Sequence, residues 1–252
     1  MSVDRDRLVA HLDGYLAIDE WEEKSLNGLQ VEGTAVVDRV ALATDAALAT
    51  FAMAEEAGAG FLIVHHGLFW GQVLPIVGSH RARIAALLDA GISLYAAHLP
   101  LDAHPEVGNN AVLARLLELR ERLPFGRWGD RAIGWWGDLP APTDRAGLGA
   151  RLEALLGARP DVLAFGSDEI RSVAIVSGAA ADLVPEAAKS GVDAFVTGET
   201  SHVIWHHARE LGVNVLFAGH YASETLGVRA LGDHVSKEFG IDAVFLDAPT
   251  GY

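Results

Sequence analysis

An α/β fold made of two related units is what this sequence predicts, and three features predict it. Short apolar runs recur, such as Phe61-Leu62-Ile63-Val64 and Ile92-Ser93-Leu94-Tyr95-Ala96-Ala97. Runs of that length bounded by turn residues read as buried strands rather than helices. Helical stretches that stop at a glycine, Gly58 or Gly91, lie between them. Finally, the second half resembles the first. Val40–Gly67 slides onto Val173–Thr200 without a gap, so that Val40, Ala41, Ala54 and Gly58 meet Val173, Ala174, Ala187 and Gly191. A further match lays Ala96-Ala97-His98-x-x-x-Asp102 on Ala218-Gly219-His220-x-x-x-Glu224. Each half then reads strand, helix, strand, helix, strand, followed by a histidine and an acid four residues on.

Taken in order, Leu8, Val9, Leu12, Tyr15 and Leu16 have helical spacing across residues 4–18. Asn27-Gly28 is a turn signal, and the segment Leu26–Gln30 can equally line a site. Val36–Ala43 reads as a strand, and Thr44 or Asp45 can cap the helix Ala46–Ala57. The strand 61–64 runs straight into His65-His66-Gly67. A helix near Arg81–Ala90 leads to the strand Ile92–Ala97, then to His98-Leu99-Pro100-Leu101-Asp102, and a helix covers Asn109–Leu119. Pro124–Pro142, rich in Gly, Pro and Trp, reads as a boundary plus a strand, with Trp128, Trp135 and Trp136 used for packing. The division expected is therefore 1–125 and 126–252, with the last part of the chain able to pack back on the first unit.

Bulk properties narrow the function. Half of the 252 residues are hydrophobic, enough for one large core or two small ones. A net charge of −15 argues against nucleic acid, which calls for a basic face. No apolar run approaches a membrane span. The charged start Met1-Ser2-Val3-Asp4-Arg5 lacks a signal-peptide core, so a soluble cytoplasmic protein is expected. With no cysteine, the strong metal ligands left are histidine and carboxylate.

Those ligands gather at strand ends, where α/β proteins handle ligands. His65, His66, His98, Asp102, His220 and Glu224 form the set. Adjacent side chains on an extended strand point to opposite faces, so His65 and His66 suit one metal only if the strand has ended, and two metals more easily. Five or six N and O donors exceed the three that a mononuclear catalytic site takes. Two divalent ions roughly 3.5–4 Å apart, bridged by a carboxylate, use them well and acidify a bridging water. Zn, Fe, Mn and Co all suit such donors. His202, His206 and His207 form another cluster, but Val203 stands where the glutamate of a His-Glu-x-x-His motif belongs. A polar helix face, or a lining of the same site beside Glu199, fits it better than a metal of its own.

His65-His66-Gly67, His98-x-x-x-Asp102-x-His104, Thr197-Gly198-Glu199 and Gly219-His220-Tyr221-x-Ser223-Glu224, in this order and with Asn27-Gly28-Leu29-Gln30-Val31 ahead of them, resemble the dinuclear-metal proteins called GTP cyclohydrolase 1 type 2, or NIF-three-like. The resemblance covers the whole chain, in the short form without an insert between the halves. It implies two pseudo-repeated α/β domains with a dinuclear site in the cleft between them. It also implies two divalent ions held by His65, His66, Asp102, His220 and Glu224, with Glu224 bridging. His98 is then left to orient a water or carry a proton. Gly198 and Glu199 replace the histidine pair in the second repeat, which leaves one dinuclear site. Tyr221, a histidine in some members, marks a pocket difference. A ring-shaped homohexamer is implied as well.

Three functions follow. A hydrolase of GTP would open the guanine ring through a metal-bound hydroxide, although no P-loop is present to hold the triphosphate. A two-metal hydrolase of phosphoesters or other nucleotides is the alternative. A carrier or scaffold that holds metal without turnover is the third.

Overall fold

Apolar strands covered on both faces organise the chain, and they fall into two compact units. The computed structural model describes residues 1–251. One unit comprises Met1–Gly108 and Gly227–Ala248, and the other is built from Asn109–Leu226. The division therefore falls at Gly108 rather than at residue 125. The reason is packing: the stretch after Gly108 supplies core residues Leu113, Ala114 and Leu117 to the second unit.

In the first unit β1 (Val3–Asp4), α1 (Arg5–Leu16), β2 (Gly28–Val31) and β3 (Val36–Val37) precede the repeating part. That part is β4 (Arg39–Asp45), α2 (Leu48–Glu56), β5 (Phe61–His66), α3 (Gly78–Ala90) and β6 (Ser93–Ala96), followed by the single turn α4 (Leu99–Asp102). Asp4 caps α1 by accepting from Arg7 N at 3.0 Å. Gly91, at φ 66°, closes α3 in the left-handed conformation, where a Cβ would be strained.

The second unit holds α5 (Asn109–Leu116), β7 (Arg120–Trp128), β8 (Arg131–Asp144), α6 (Arg145–Leu156), β9 (Asp161–Leu163) and β10 (Glu169–Ile175). It continues through α7 (Val184–Ser190), β11 (Ala194–Thr197), α8 (Ile204–Leu211) and β12 (Asn214–Phe217). The Gly-, Pro- and Trp-rich stretch is thus no boundary but the β7–β8 hairpin. Trp135 and Trp136 pack on opposite faces of its sheet, whereas Trp128, near the hairpin end, is largely exposed. A long helix, α9 (His220–Phe239), begins in the second unit and continues into the first, and β13 (Asp242–Phe245) pairs in parallel with β4.

Beside a small antiparallel β1–β3 pair, the two large sheets run β13-β4-β5-β6-β2 and β7-β8-β10-β11-β12-β9. In each, three parallel strands from the repeat end against an antiparallel strand, β2 on β6 and β9 on β12. Val40 pairs with Phe61 and Val173 with Ala194, which is the pairing the ungapped repeat requires. The later match needs correction. Phe61 pairs with Ser93 and Ala194 with Asn214, so Ala97 corresponds to Ala218 and His98 to Gly219, not to His220. One extra residue enters the second copy before its histidine. His98 consequently precedes α4 while His220 opens α9.

Alternate strand residues serve alternate cores. Val40, Leu42, Phe61 and Ile63 pack with Leu8, Leu12, Val228, Leu231 and Val235. Ala41, Ala43, Leu62 and Val64 pack with Phe51, Ala54 and Leu87 of α2 and α3. Val173, Ile175 and Val196 face α5 and α6, and Ala174, Phe195 and Val215 face α7 and α8. No helix among the described residues is long and apolar enough to cross a membrane.

A stack of rings fastens α9 to α1. His234 lies 3.8 Å from Tyr15, centroid to centroid, and its Nε2 lies 2.9 Å from His11 Nε2. His104 does not join the strand-end histidines: it packs on Tyr15 and donates from Nε2 to the Tyr15 carbonyl at 3.1 Å. Burial lowers the pKa of His104, against a smaller opposing effect of that bond, and burial and then His11 lower that of His234. Both residues favour the neutral form when folded. The unfolded chain takes up protons first, so their contribution is complete above about pH 6.5 and fades as pH falls through the lowered folded values. The melting temperature should drop from pH 7 to 5, and less so in His234→Phe. An equal drop in that variant would remove the stack as the cause.

Candidate metal centre

The carboxyl ends of β5 and β6 bring four of the sequence candidates together in the first unit. The histidine pair lies within β5 rather than beyond it, with His65 fully buried and His66 half-buried. Gly67 lets the chain turn away where a Cβ would sit 2.3 Å from Gln30 Nε2 and 2.7 Å from Ala96 Cβ. The rings of His65, His66 and His98 lie 4.7–5.6 Å apart, centroid to centroid. One ring nitrogen from each lies within 4.8 Å of the others. His65 Nε2 faces Asp102 Oδ2, at the end of α4, at 3.5 Å.

Each imidazole is anchored through Nδ1 to a different stretch of the chain. His65 donates to the Ala97 carbonyl at 3.0 Å, His66 to Asp45 Oδ1 at 2.8 Å and His98 to Glu23 Oε2 at 2.5 Å. A carbonyl can only accept, so the proton of His65 sits on Nδ1 and the lone pair on Nε2. This is the tautomer and the support that metal-ligating histidines use. The donor set, three anchored imidazoles and a nearly buried carboxylate, fits a divalent cation.

Two of these anchors were not visible as such in the sequence. Asp45 does not cap α2, which starts at Leu48; its carboxylate takes His66 instead. Glu23, in a run of charged residues, gave no signal of any kind. Its side chain is 3% exposed and accepts from Asn27 Nδ2, Leu99 N and His98. Burial raises the Glu23 carboxyl, but those bonds outweigh it and hold its pKa below the ordinary value. Asn27 Oδ1 in turn accepts from His98 N at 2.8 Å, so the Asn27-Gly28 segment serves this site as well as forming a turn.

The second unit carries the other candidates at the corresponding strand ends. Glu199 follows β11 by two residues, and His220 and Glu224 lie on the first turns of α9. His220 Nε2 is 3.1 Å from Glu224 Oε2 and its Nδ1 is 3.2 Å from Glu199 Oε2. The bond to Glu224 raises the His220 pKa to about 9, against the opposing effect of burial and with help from Glu199. The two carboxylates thus hold opposite nitrogens of one imidazole and fix its ring.

Gly178 makes this geometry possible. At φ +65° an added Cβ would stand 2.1 Å from Glu224 Oε1. Gly178→Ala should therefore displace the Glu224 carboxylate and lower metal content severalfold, at a backbone cost of about 1 kcal/mol. Full metal content in a folded Gly178→Ala protein would contradict that role for the glycine. His202, His206 and His207 are exposed around the start of α8, and among the described residues they enter no cluster of three ligand atoms.

Comparison with known proteins shows the family. The family model described as Duf34/NIF3 (NGG1p interacting factor 3) matches residues 3–250. A GTP cyclohydrolase 1 type 2 homolog of Deinococcus radiodurans is 47% identical over 249 residues, 99% of this chain and 95% of that protein. One from Pyrococcus abyssi is 44% identical over 250 residues, 99% of this chain and all of that one. A Thermus thermophilus protein of known crystal structure is 48% identical with a TM-score of 0.93, covering 99% of this chain and 100% of that one. By sequence and by fold, over nearly its whole length, the chain belongs to the Duf34/NIF3 family.

Proposed function

We propose that the chain is a dinuclear-metal hydrolase acting on a nucleotide, with GTP as the first candidate. In this reading His65, His66 and Asp102 of the first unit and His220 and Glu224 of the second would be the ligands of the divalent ions. The observation that carries it is the anchoring of His65, His66 and His98 through Nδ1 by acceptors from three separate stretches of chain, with their ring nitrogens clustered. Core histidines do not need three independent anchors on one cluster. The names of the curated relatives supply the choice of GTP.

A metal pair held by these residues supplies Lewis acidity and acidifies water toward neutral pH. The remaining work falls to the protein. His98 is the proton carrier: Glu23 holds its Nδ1 and fixes the ring, which leaves Nε2 to take up and release a proton. Trp70 sets its ring against His98 edge to face at 5.0 Å and limits how far the imidazole can swing. Asp45 and the Ala97 carbonyl hold His66 and His65 in one orientation, so substrate meets a preformed site.

Incubating the metal-loaded protein with GTP should release formate and leave a pterin triphosphate. Absence of both would reject this reaction. Turnover of a simple phosphoester instead would move the assignment to a phosphoesterase, which uses the same metal chemistry.

The same reading takes the chain as a cytoplasmic homo-oligomer, a hexamer by resemblance. Its support is the loop after β5, where Val73 is fully exposed and Ile76 and Val77 are more than half exposed. Several large apolar side chains in one short exposed segment mark an interaction surface. Light scattering should give about six times the mass of the 26.7 kDa chain, and Val73→Asp combined with Ile76→Asp should lower it. A monomer at all concentrations would end this part of the reading.

A further inference from the structure

A cavity of about 520 Å³ in the second unit lies outside the cluster of His220, Glu199 and Glu224. Asp161, Leu163, Thr200, Trp205, His206 and Phe217 are among its walls. Its volume falls in the range of small-molecule pockets, roughly 300–1,000 Å³. Its place in the fold is informative. Phe217 ends β12, pairs with Asp161 of β9, and also pairs with Thr197, the last residue of β11. The cavity therefore sits at the carboxyl end of the parallel strands, where α/β sheets receive ligands. Thr200 follows Glu199 directly in the chain, so the cavity wall and the His220 cluster share one strand-end loop.

The walls have a particular chemistry. Trp205 is 40% exposed, so part of its ring is open to a ligand. It is not loose: Phe165 meets it edge to face at 5.2 Å, and the Arg209 guanidinium lies 5.2 Å from its ring centre. A ring fixed in advance gives up little freedom on stacking. Around it stand a carboxylate, Asp161, an imidazole, His206, and the Thr200 hydroxyl, which can pair with the edge of a nitrogen heterocycle. Mixed aromatic walls and edge-reading polar groups are how proteins hold an isolated base.

We propose that this cavity binds the flat heteroaromatic ring of the substrate, a purine base, with Trp205 as the stacking surface. This rests on the nucleotide reading of the metal centre and places the base in the second unit, beside Glu199. The ring contributes to binding through Trp205, while sugar and phosphates make their contacts elsewhere.

Calorimetry on the metal-loaded, full-length protein tests this with guanosine and adenosine, and with ribose and inorganic tripolyphosphate as ring-free controls. Guanosine or adenosine should bind saturably, and Trp205→Ala should weaken that binding about tenfold to a hundredfold. Trp205→Phe should restore most of it, and tripolyphosphate binding should be the same in all three proteins. Trp205 is on the surface, so the alanine variant should keep its fold. His206→Ala is a second variant, expected to weaken nucleoside binding severalfold. Failure of both purines to bind at millimolar concentration, or equal binding by the wild type and Trp205→Ala, would overturn the proposal. Formate release from GTP by Trp205→Ala with an unchanged KM would reject the pocket and spare the reaction. Trp205-dependent purine binding without formate would do the reverse.

Discussion

His65→Ala is expected to lose both turnover and metal, with activity falling on the order of a thousandfold or more. His65 is the fully buried member of the strand-end cluster, with Nδ1 donated to Ala97 and Nε2 facing Asp102. No neighbour can replace it, because His66 and His98 are held by Asp45 and Glu23. Elemental analysis of the purified variant, read beside its circular dichroism, separates loss of ligation from loss of fold. A folded variant with wild-type metal content would remove His65 from the ligand set. A scaffold without turnover would lose metal while keeping its partner, so activity and metal must be measured together.

His98→Gln should separate proton transfer from metal binding. Glutamine keeps a donor within reach of Glu23 but cannot carry a proton. kcat should fall about a hundredfold to ten-thousandfold while metal content stays close to wild type. Glu23→Gln should give a smaller loss of the same kind, since the carboxylate that fixes the His98 ring through Nδ1 is gone. If His98→Gln loses metal in proportion to activity, His98 is a ligand and not a proton carrier.

Much of this centre was legible in the sequence because strands and their ends have a plain signature. Phe61–Val64 is apolar without interruption because both faces of β5 are covered, and His65-His66 breaks that run. The repeat was legible as far as strand register carried it, through Val40 with Phe61 and Val173 with Ala194. It misled once the chain left the sheet, because one inserted residue separates His220 from the position of His98. The supporting acids were harder to see. Asp45 stands where a helix cap would stand, and only the late start of α2 frees its carboxylate for His66. Glu23 lies 75 residues from His98, and long-range pairing of one acid with one histidine leaves no periodic trace. The Trp205 cavity was hidden for a related reason. Its walls come from β9, the loop after β11, α8 and β12, which approach one another only when the sheet closes.

One measurement bears most directly on whether donors from the two repeats serve a common pair of ions. Elemental analysis with anomalous scattering, on wild-type protein and on Glu224→Ala, counts the ions per chain and identifies them. Two divalent ions per chain in the wild type, and loss of both or of all but a weakly held one in Glu224→Ala, is the result expected. A single ion, or two that persist at full occupancy without the Glu224 carboxylate, would contradict it.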